Sequence, residues 1–216
     1  MEKSIKRIVL LNGPPRCGKD TVASHLVPYF QFEKMKFAAP LKRMAAALLD
    51  MDVSAVERHK DAEFNILCEE FINIDPNFGR EVLTYGPKDT LRRLLINLSE
   101  EFLKKHYGDT FFGRVGCREL ERSASNLIIF TDSGFAPEAS VVTRRYGKNN
   151  VLLVRLHRER CTFEGDSRSY LPDIAGFNVD VENDGPISHL TGKVARAITR
   201  SFGIEPNKEI ELYDDR

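Results

Sequence analysis

The sequence predicts an α/β fold, a parallel sheet with helices on both faces, and three observations carry that prediction. Five short runs, at residues 7–12, 33–37, 127–132, 151–156 and 177–181, read as buried parallel strands. Helical patterns lie between them, giving the alternation that parallel pairing requires. The first run leads directly into Gly13-Pro14-Pro15-Arg16-Cys17-Gly18-Lys19, a glycine-bounded turn that opens a helix. A chain of 216 residues is long enough for one such domain with a full core.

The first strand, Ile8-Val9-Leu10-Leu11, precedes a loop spaced as glycine, four residues, glycine and lysine. That spacing, between a strand and a helix, is the pattern of a phosphate-binding P-loop. Its glycines let successive backbone N–H groups face one concavity, and the helix adds its positive end. The nucleotide-binding set read here is Gly13, Arg16, Cys17, Gly18, Lys19, Asp20 and Thr21, with Lys19 reaching the outer phosphates of a nucleoside triphosphate. A Ser or Thr that ligates Mg²⁺ ordinarily follows the lysine; here Asp20 stands there and Thr21 comes one later. Asp20 must point away from the phosphates or face Mg²⁺, directly or through water. An ordinary glycine- and proline-rich joint would explain the turn, but not the lysine and spacing with it. Cys17 is either a reactive thiol at a helix N-terminus or simply a small residue.

The first helix spans residues 21–27, until Pro28 ends or kinks it. Residues 40–49 form a helix with proline in its first turn. Ser54-Ala55-Val56-Glu57 reads as a capping box opening a helix toward Phe71. Leu91, Leu94, Leu95, Leu98 and Phe102 recur at helical spacing and mark a core-packing face. Ile187, Leu190, Val194, Ile198 and Phe202 make a second such stripe over 186–202, stopped by Gly203. Residues 75–88, with two prolines and two glycines, read as an exposed loop.

Composition excludes several classes. Basic and acidic residues balance at 32 each, so net charge gives no general attraction to nucleic acid or an anionic membrane. The apolar stretches fall far short of the roughly 20 residues of a membrane span, and the N-terminus leaves no room for a signal peptide. Cys17, Cys68, Cys117 and Cys161 form no Cys-x-x-Cys pair and read as reduced thiols of a cytoplasmic protein.

Asp132 ends the third run, where an acidic group can hold Mg²⁺ or its water; the simpler alternative is a cap for the helix after Pro137, and the P-loop favours the metal-side role. Arg155, His157, Arg158, Arg160 and Arg168 form a basic segment, either a mobile lid closing on a phosphoryl group or a solvated charged loop. A second basic set comprises Lys36, Lys42, Arg43, Lys88, Arg92 and Arg93. The histidines form no ligand spacing and no nucleophile–base pair stands out, which suits positioning and electrostatic catalysis.

Four stretches resemble the phage-type deoxynucleoside monophosphate kinases, P-loop enzymes of nucleotide supply. Gly18-Lys19-Asp20-Thr21 is similar to the family's Gly-Lys-Asp-Thr, and Lys36-Phe37-Ala38-Ala39-Pro40-Leu41-Lys42 to its phenylalanine–alanine–x–proline–leucine–lysine segment. Asp132-Ser133-Gly134-Phe135-Ala136-Pro137-Glu138 resembles an Asp-Val-Arg-Phe-x-Asn-Glu stretch. Val181-Glu182-Asn183-Asp184-Gly185 resembles the turn that lies near the nucleotide base. Two departures stand on the acceptor side. Gly134 replaces a phosphate-binding arginine, and Leu98-Ser99-Glu100-Glu101 replaces leucine–glycine–threonine–acid.

The resemblance implies a P-loop kinase fold, a three-layer α/β/α domain with a five-stranded parallel sheet of order 2-3-1-4-5. It would occupy residues 1–204, with an acceptor-side helical insertion at about 40–125 and a lid at about 157–172. Residues 205–216 would be a flexible tail. The implied activity is phosphoryl transfer from ATP, with Mg²⁺, to a (deoxy)nucleoside 5′-monophosphate. In that scheme Lys19, Asp132, Arg158 and Arg160 serve catalysis, with Arg168 as an alternative lid residue. Thr21 and Asp132 serve the metal, Asn183 lies by the base, and Lys36, Phe37, Lys42, Arg92 and Arg93 meet the acceptor. Nucleic acid and membrane are not expected partners; a homodimer is left open. The competing readings are a P-loop kinase for another acceptor, such as a modified base or a small phosphorylated metabolite, and a catalytically silent nucleotide-binding protein.

Overall fold

A strand buried on both faces carries apolar side chains on successive residues, and Ile8, Val9, Leu10 and Leu11 are all fully buried in β1 (Arg7–Asn12). The computed structural model describes residues 5–59, 61, 63–64, 71–75, 79–83 and 89–207. The other strands of the sheet are β2 (Glu33–Met35), β3 (Leu127–Phe130), β4 (Val151–His157) and β5 (Phe177–Glu182). All pairings are parallel, in the order β2-β3-β1-β4-β5, and Ile8 lies between Ile128 and Val151. This is the implied order 2-3-1-4-5.

Each strand starts where the sequence places it, but two end early. Runs 33–37 and 127–132 stop at Met35 and Phe130. The reason is a competing hydrogen-bond pattern. The Asp132 carboxylate accepts the N–H groups of Phe37 and Ala38 at 2.8 and 3.0 Å, which draws both chain ends out of the ladder.

The first unit comprises Met1–Ala38 and Asp109–Arg216. Its helices are α1 (Lys19–Phe30), α2 (Phe111–Arg122), α3 (Ala136–Tyr146) and α4 (Ile187–Phe202). One sheet face presents Val9, Leu11, Ile129, Leu152 and Val154 to Val22 and Leu26 of α1 and to Leu190, Val194 and Ile198 of α4. On the other face Gly116 of α2 approaches the rings of Phe37 and Phe130. Pro28 does not end α1; it lies within the last turn. The proline removes the bond to the Ser24 carbonyl, and the helix bears that loss here because Ser24 and Pro28 are both exposed to solvent. Gln31, at φ +58°, then closes the helix with its N–H on the Val27 carbonyl. The stripe on α4 is as expected, and Gly203 at φ +65° stops it.

Ala39–Gly108 forms a second unit. The expected insertion of residues 40–125 thus divides at Gly108, and its last part contributes α2 to the first unit. Helices Ala39–Leu48 and Val53–Arg58 bury Ala45, Ala46 and Val56 against Leu94, Leu95 and Leu98. The capping box at Ser54 does not form. Asp52 takes the cap position without a side-chain bond, and the helix closes at His59. Phe71–Asp75 instead pairs antiparallel with Gly79–Leu83, and Glu63–Phe64 with Asp89–Thr90, so the loop expected at 75–88 contains a strand. Leu91–Ile96 begins as an α-helix and continues as a π-helix over Asn97–Lys104. The wider turns shift the buried stripe by one residue, so Leu103 is buried and Phe102 stands 49% exposed.

Candidate active site

The loop after β1 is shaped by three residues with positive φ: Gly13 at +149°, Arg16 at +64° and Gly18 at +107°. The two glycines are required by space as well. A Cβ on Gly13 would lie 2.6 Å from the Leu156 carbonyl oxygen, and one on Gly18 would lie 2.8 Å from Asn183 Nδ2. The chain then enters α1 at Lys19, which brings the first-turn N–H groups to the carboxyl edge of the central strand.

Lys19 is only 8% exposed. Its Nζ donates to the carbonyls of Gly13 and Pro14 at 2.7 and 2.6 Å and approaches Cys17 Sγ at 3.6 Å. Burial lowers its pKa, with a further push from the like charge of Arg168 and an opposing pull from Cys17. Burial also raises the Cys17 thiol, against the pull of Lys19. Cys17 is fully buried, so the structure favours the small-residue reading over a reactive thiol. Cys17, Cys117 and Cys161 are free; Cys68 lies outside the described residues.

Asp20 does not face the loop's concavity unpaired. Its Oδ1 accepts Thr131 Oγ1 at 2.9 Å and lies 2.8 Å from Lys36 Nζ. Desolvation raises its pKa, but the Lys36 ammonium and the Thr131 hydroxyl outweigh that and hold it below the usual carboxylate value. Lys36 therefore neutralises the residue that replaces the P-loop serine or threonine. Thr21, one residue on, is exposed.

Asp132 clasps the amides of Phe37 and Ala38, rather than capping the helix after Pro137. The oxygen donors expected to serve the metal are Thr21 and Asp132, with Asp20 beside them in sequence, and among the described residues no group of three or more His, Cys, Asp or Glu encloses a metal. Such an oxygen-only, sparse set fits a Mg²⁺ held chiefly by phosphates and water.

Asn183 supports the loop from behind: its Nδ2 donates to the Cys17 carbonyl at 2.9 Å, and its N–H to the His157 carbonyl at 2.7 Å. Arg158 reaches the loop through the Arg16 carbonyl at 3.1 Å. Arg160 is exposed, with Glu159 3.6 Å away. Arg155 is structural, bridging Asp173, Asp180 and the Leu171 carbonyl. Phe37, expected at the acceptor, is buried and stacked on Phe130 at 4.4 Å; its ring serves the core. Lys42, Arg92 and Arg93 belong to the second unit, where Lys42 pairs with Glu57 and Arg92 with Asp61, and the Arg93 N–H caps on Thr90 Oγ1. Lys88 lies outside the described residues.

Sequence reasoning passed over Asn12. Fully buried at the end of β1, it donates to the carbonyls of Ser133 and Ser169 and accepts the Leu171 N–H, at 2.8, 3.0 and 3.0 Å. A polar residue closing an apolar strand just before Gly13 was its signal. It fastens residues 169–171, within the expected lid, to the central strand.

No protein-family model matches the chain, and no curated protein matches it. Among solved structures the chain is similar to a sugar kinase from Janibacter sp. HTCC2649, at 11% identity and TM-score 0.38, over 89% of this chain and 94% of that one. It is similar also to the shikimate kinase of Aquifex aeolicus vf5, at 10% identity and TM-score 0.41, over 91% and 99% of the two chains. The dephospho-CoA kinase of Campylobacter jejuni gives 13% identity and TM-score 0.39, over 91% and 98%. The fold is read from the strand order itself, and the chemistry from the loop.

Proposed function

We propose that the chain is a P-loop phosphotransferase that passes the terminal phosphoryl group of ATP to a (deoxy)nucleoside 5′-monophosphate. The observation that carries the reading is the loop itself. It is a glycine-hinged turn at the carboxyl end of the central strand, with a buried lysine whose ammonium meets the loop's own carbonyls and a thiol. That ammonium is poised to exchange carbonyl oxygens for phosphate oxygens. The acceptor class rests on the four stretches that resemble the deoxynucleoside monophosphate kinases.

The loop backbone and the α1 N-terminus bind the phosphates, and Lys19 supplies positive charge where negative charge accumulates. Lys36 holds Asp20 aside, so no unpaired carboxylate opposes the phosphates. Thr21 and Asp132, with Asp20 through water, would hold Mg²⁺, which supplies charge neutralisation on the phosphate oxygens. Asn183 and Arg158 keep the loop in its binding shape.

The test is to incubate the protein with Mg²⁺-ATP and each common nucleoside monophosphate, following ADP and the new diphosphate together. One-for-one formation, falling by about 100-fold or more in Lys19→Ala, is expected from loss of a charge-assisted contact to the transferring group. ATP binding without transfer to any of these monophosphates would overturn the nucleoside monophosphate reading and leave a kinase for another acceptor or a nucleotide-binding protein.

A further inference from the structure

We infer that Arg168, seated through a slot made by Gly134 and beside the Ser133 hydroxyl, forms an oxyanion subsite for the terminal phosphoryl group held by Lys19. The inference deepens the nucleotide reading above and rests on it. Gly134 lies four residues past β3. A Cβ there would meet Cδ, Cγ and Cβ of Arg168 at 2.5, 2.6 and 2.8 Å, so the arginine stem fills the space a side chain at 134 would occupy. These are stem atoms, not a loose tip, and they cannot swing clear without moving the guanidinium.

The guanidinium is held in place. Asp166 accepts from Nε and Nη2 at 2.8 and 2.6 Å, a forked pairing that leaves Nη1 as the donor without an acceptor among the described residues. The backbone on its carboxyl side is fixed at Ser169 and Leu171 by Asn12, and the Ser169 N–H reaches the Gly134 carbonyl at 3.3 Å. Arg168 and Lys19 feel each other's charge, so two cations share a partly buried neighbourhood. The carboxylates there are already engaged, Asp166 by Arg168 and Asp132 by two backbone amides.

Ser133 provides the second observation. It is 2% exposed, and its Oγ is the one buried side-chain polar atom among the described residues with no hydrogen-bond partner. An orphaned buried hydroxyl is costly unless something completes it. A phosphoryl oxygen satisfies the hydroxyl and the free edge of the guanidinium together. Gly134 therefore does not mark a lost guanidinium; it admits one from 34 residues farther along the chain.

The test compares ATP and ADP binding by calorimetry, in Mg²⁺, for the wild type and Arg168→Gln. Glutamine keeps the stem and an N–H for Asp166, so the half-buried carboxylate is not stranded. Loss of a charged donor is expected to cost about ten- to a hundred-fold in ATP affinity and leave ADP affinity within about twofold. Gly134→Ala should reproduce the loss of ATP affinity in the wild type and add little to it in the Arg168→Gln background, where the stem it displaces no longer carries a charge. Arg168→Gln that still discriminates ATP from ADP as the wild type does would overturn the inference and leave the nucleotide reading standing. Additive losses in the double variant would overturn the slot. No ATP binding by the wild type would instead remove the nucleotide reading and this inference with it. A Gly134→Ser variant, with unfolding midpoints measured alongside, separates displacement from misfolding: intact fold with wild-type ATP affinity also overturns the slot.

Discussion

At the residue scale, Asn12 ties three segments of the first unit together. It joins β1, the turn after β3 and the segment before β5 through three hydrogen bonds from a fully buried position. Asn12→Ala would strand two carbonyls and an N–H away from full solvation, and we expect a loss of about 2–4 kcal/mol. Urea unfolding measures it, and a change under about 0.5 kcal/mol would show that water replaces the amide. The sequence marks Asn12 as a polar residue closing an apolar strand but does not show what it ties together, because its partners are backbone groups 121 to 159 residues away. The P-loop, by contrast, was legible because its glycines, lysine and strand–helix setting are all local. Asp20 shows the limit between the two. Its place in the motif was readable, but its neutralisation by Lys36 and Thr131 was not.

At the scale of the element, the same contrast holds. Strand starts are readable from apolar runs; the ends of β2 and β3 are not, because Asp132 captures two amides that follow the neighbouring strand. Helix α2 escaped the pattern because Gly113 and Gly116 lower its helical propensity. Both are there for contact. A Cβ at Gly113 would lie 2.5 Å from the Glu138 carbonyl oxygen in α3, a backbone atom that cannot step aside. Gly113→Ala should therefore push α2 from α3 and cost about 1–3 kcal/mol, although alanine is the better helix former. A stabilised variant in thermal unfolding would refute that close packing. The π-helix at Asn97–Lys104 departs from the expected helical spacing for a physical reason too, since its wider turns rotate Phe102 off the buried stripe.

At the scale of the whole molecule, the sheet order and the position of the loop on its central strand define the first unit. The second, Ala39–Gly108, takes up most of the helical insertion expected at about 40–125, yet it carries two antiparallel pairings. Those strands were hidden because glycine and proline between them signal a turn without showing what it joins. Among the described residues no helix is long and apolar enough to cross a membrane. With 32 basic and 32 acidic residues the chain has zero formal charge at pH 7. Solubility in a polyethylene-glycol titration should accordingly be lowest near that pH and rise on either side. A minimum well away from pH 7 would mean that folded-state pKa shifts move the balance of charge.

The contact between Gly134 and Arg168 also constrains how this sequence can change over generations. A side chain at 134 cannot appear while the arginine stem lies 2.5 Å from where its Cβ would sit. The long residue must shorten first, and the intermediate then lacks a guanidinium from either position. The two arrangements, arginine reaching in from 168 or a side chain standing at 134, are thus separated by a valley that single substitutions cannot cross without loss. Once one is adopted, it is retained by geometry.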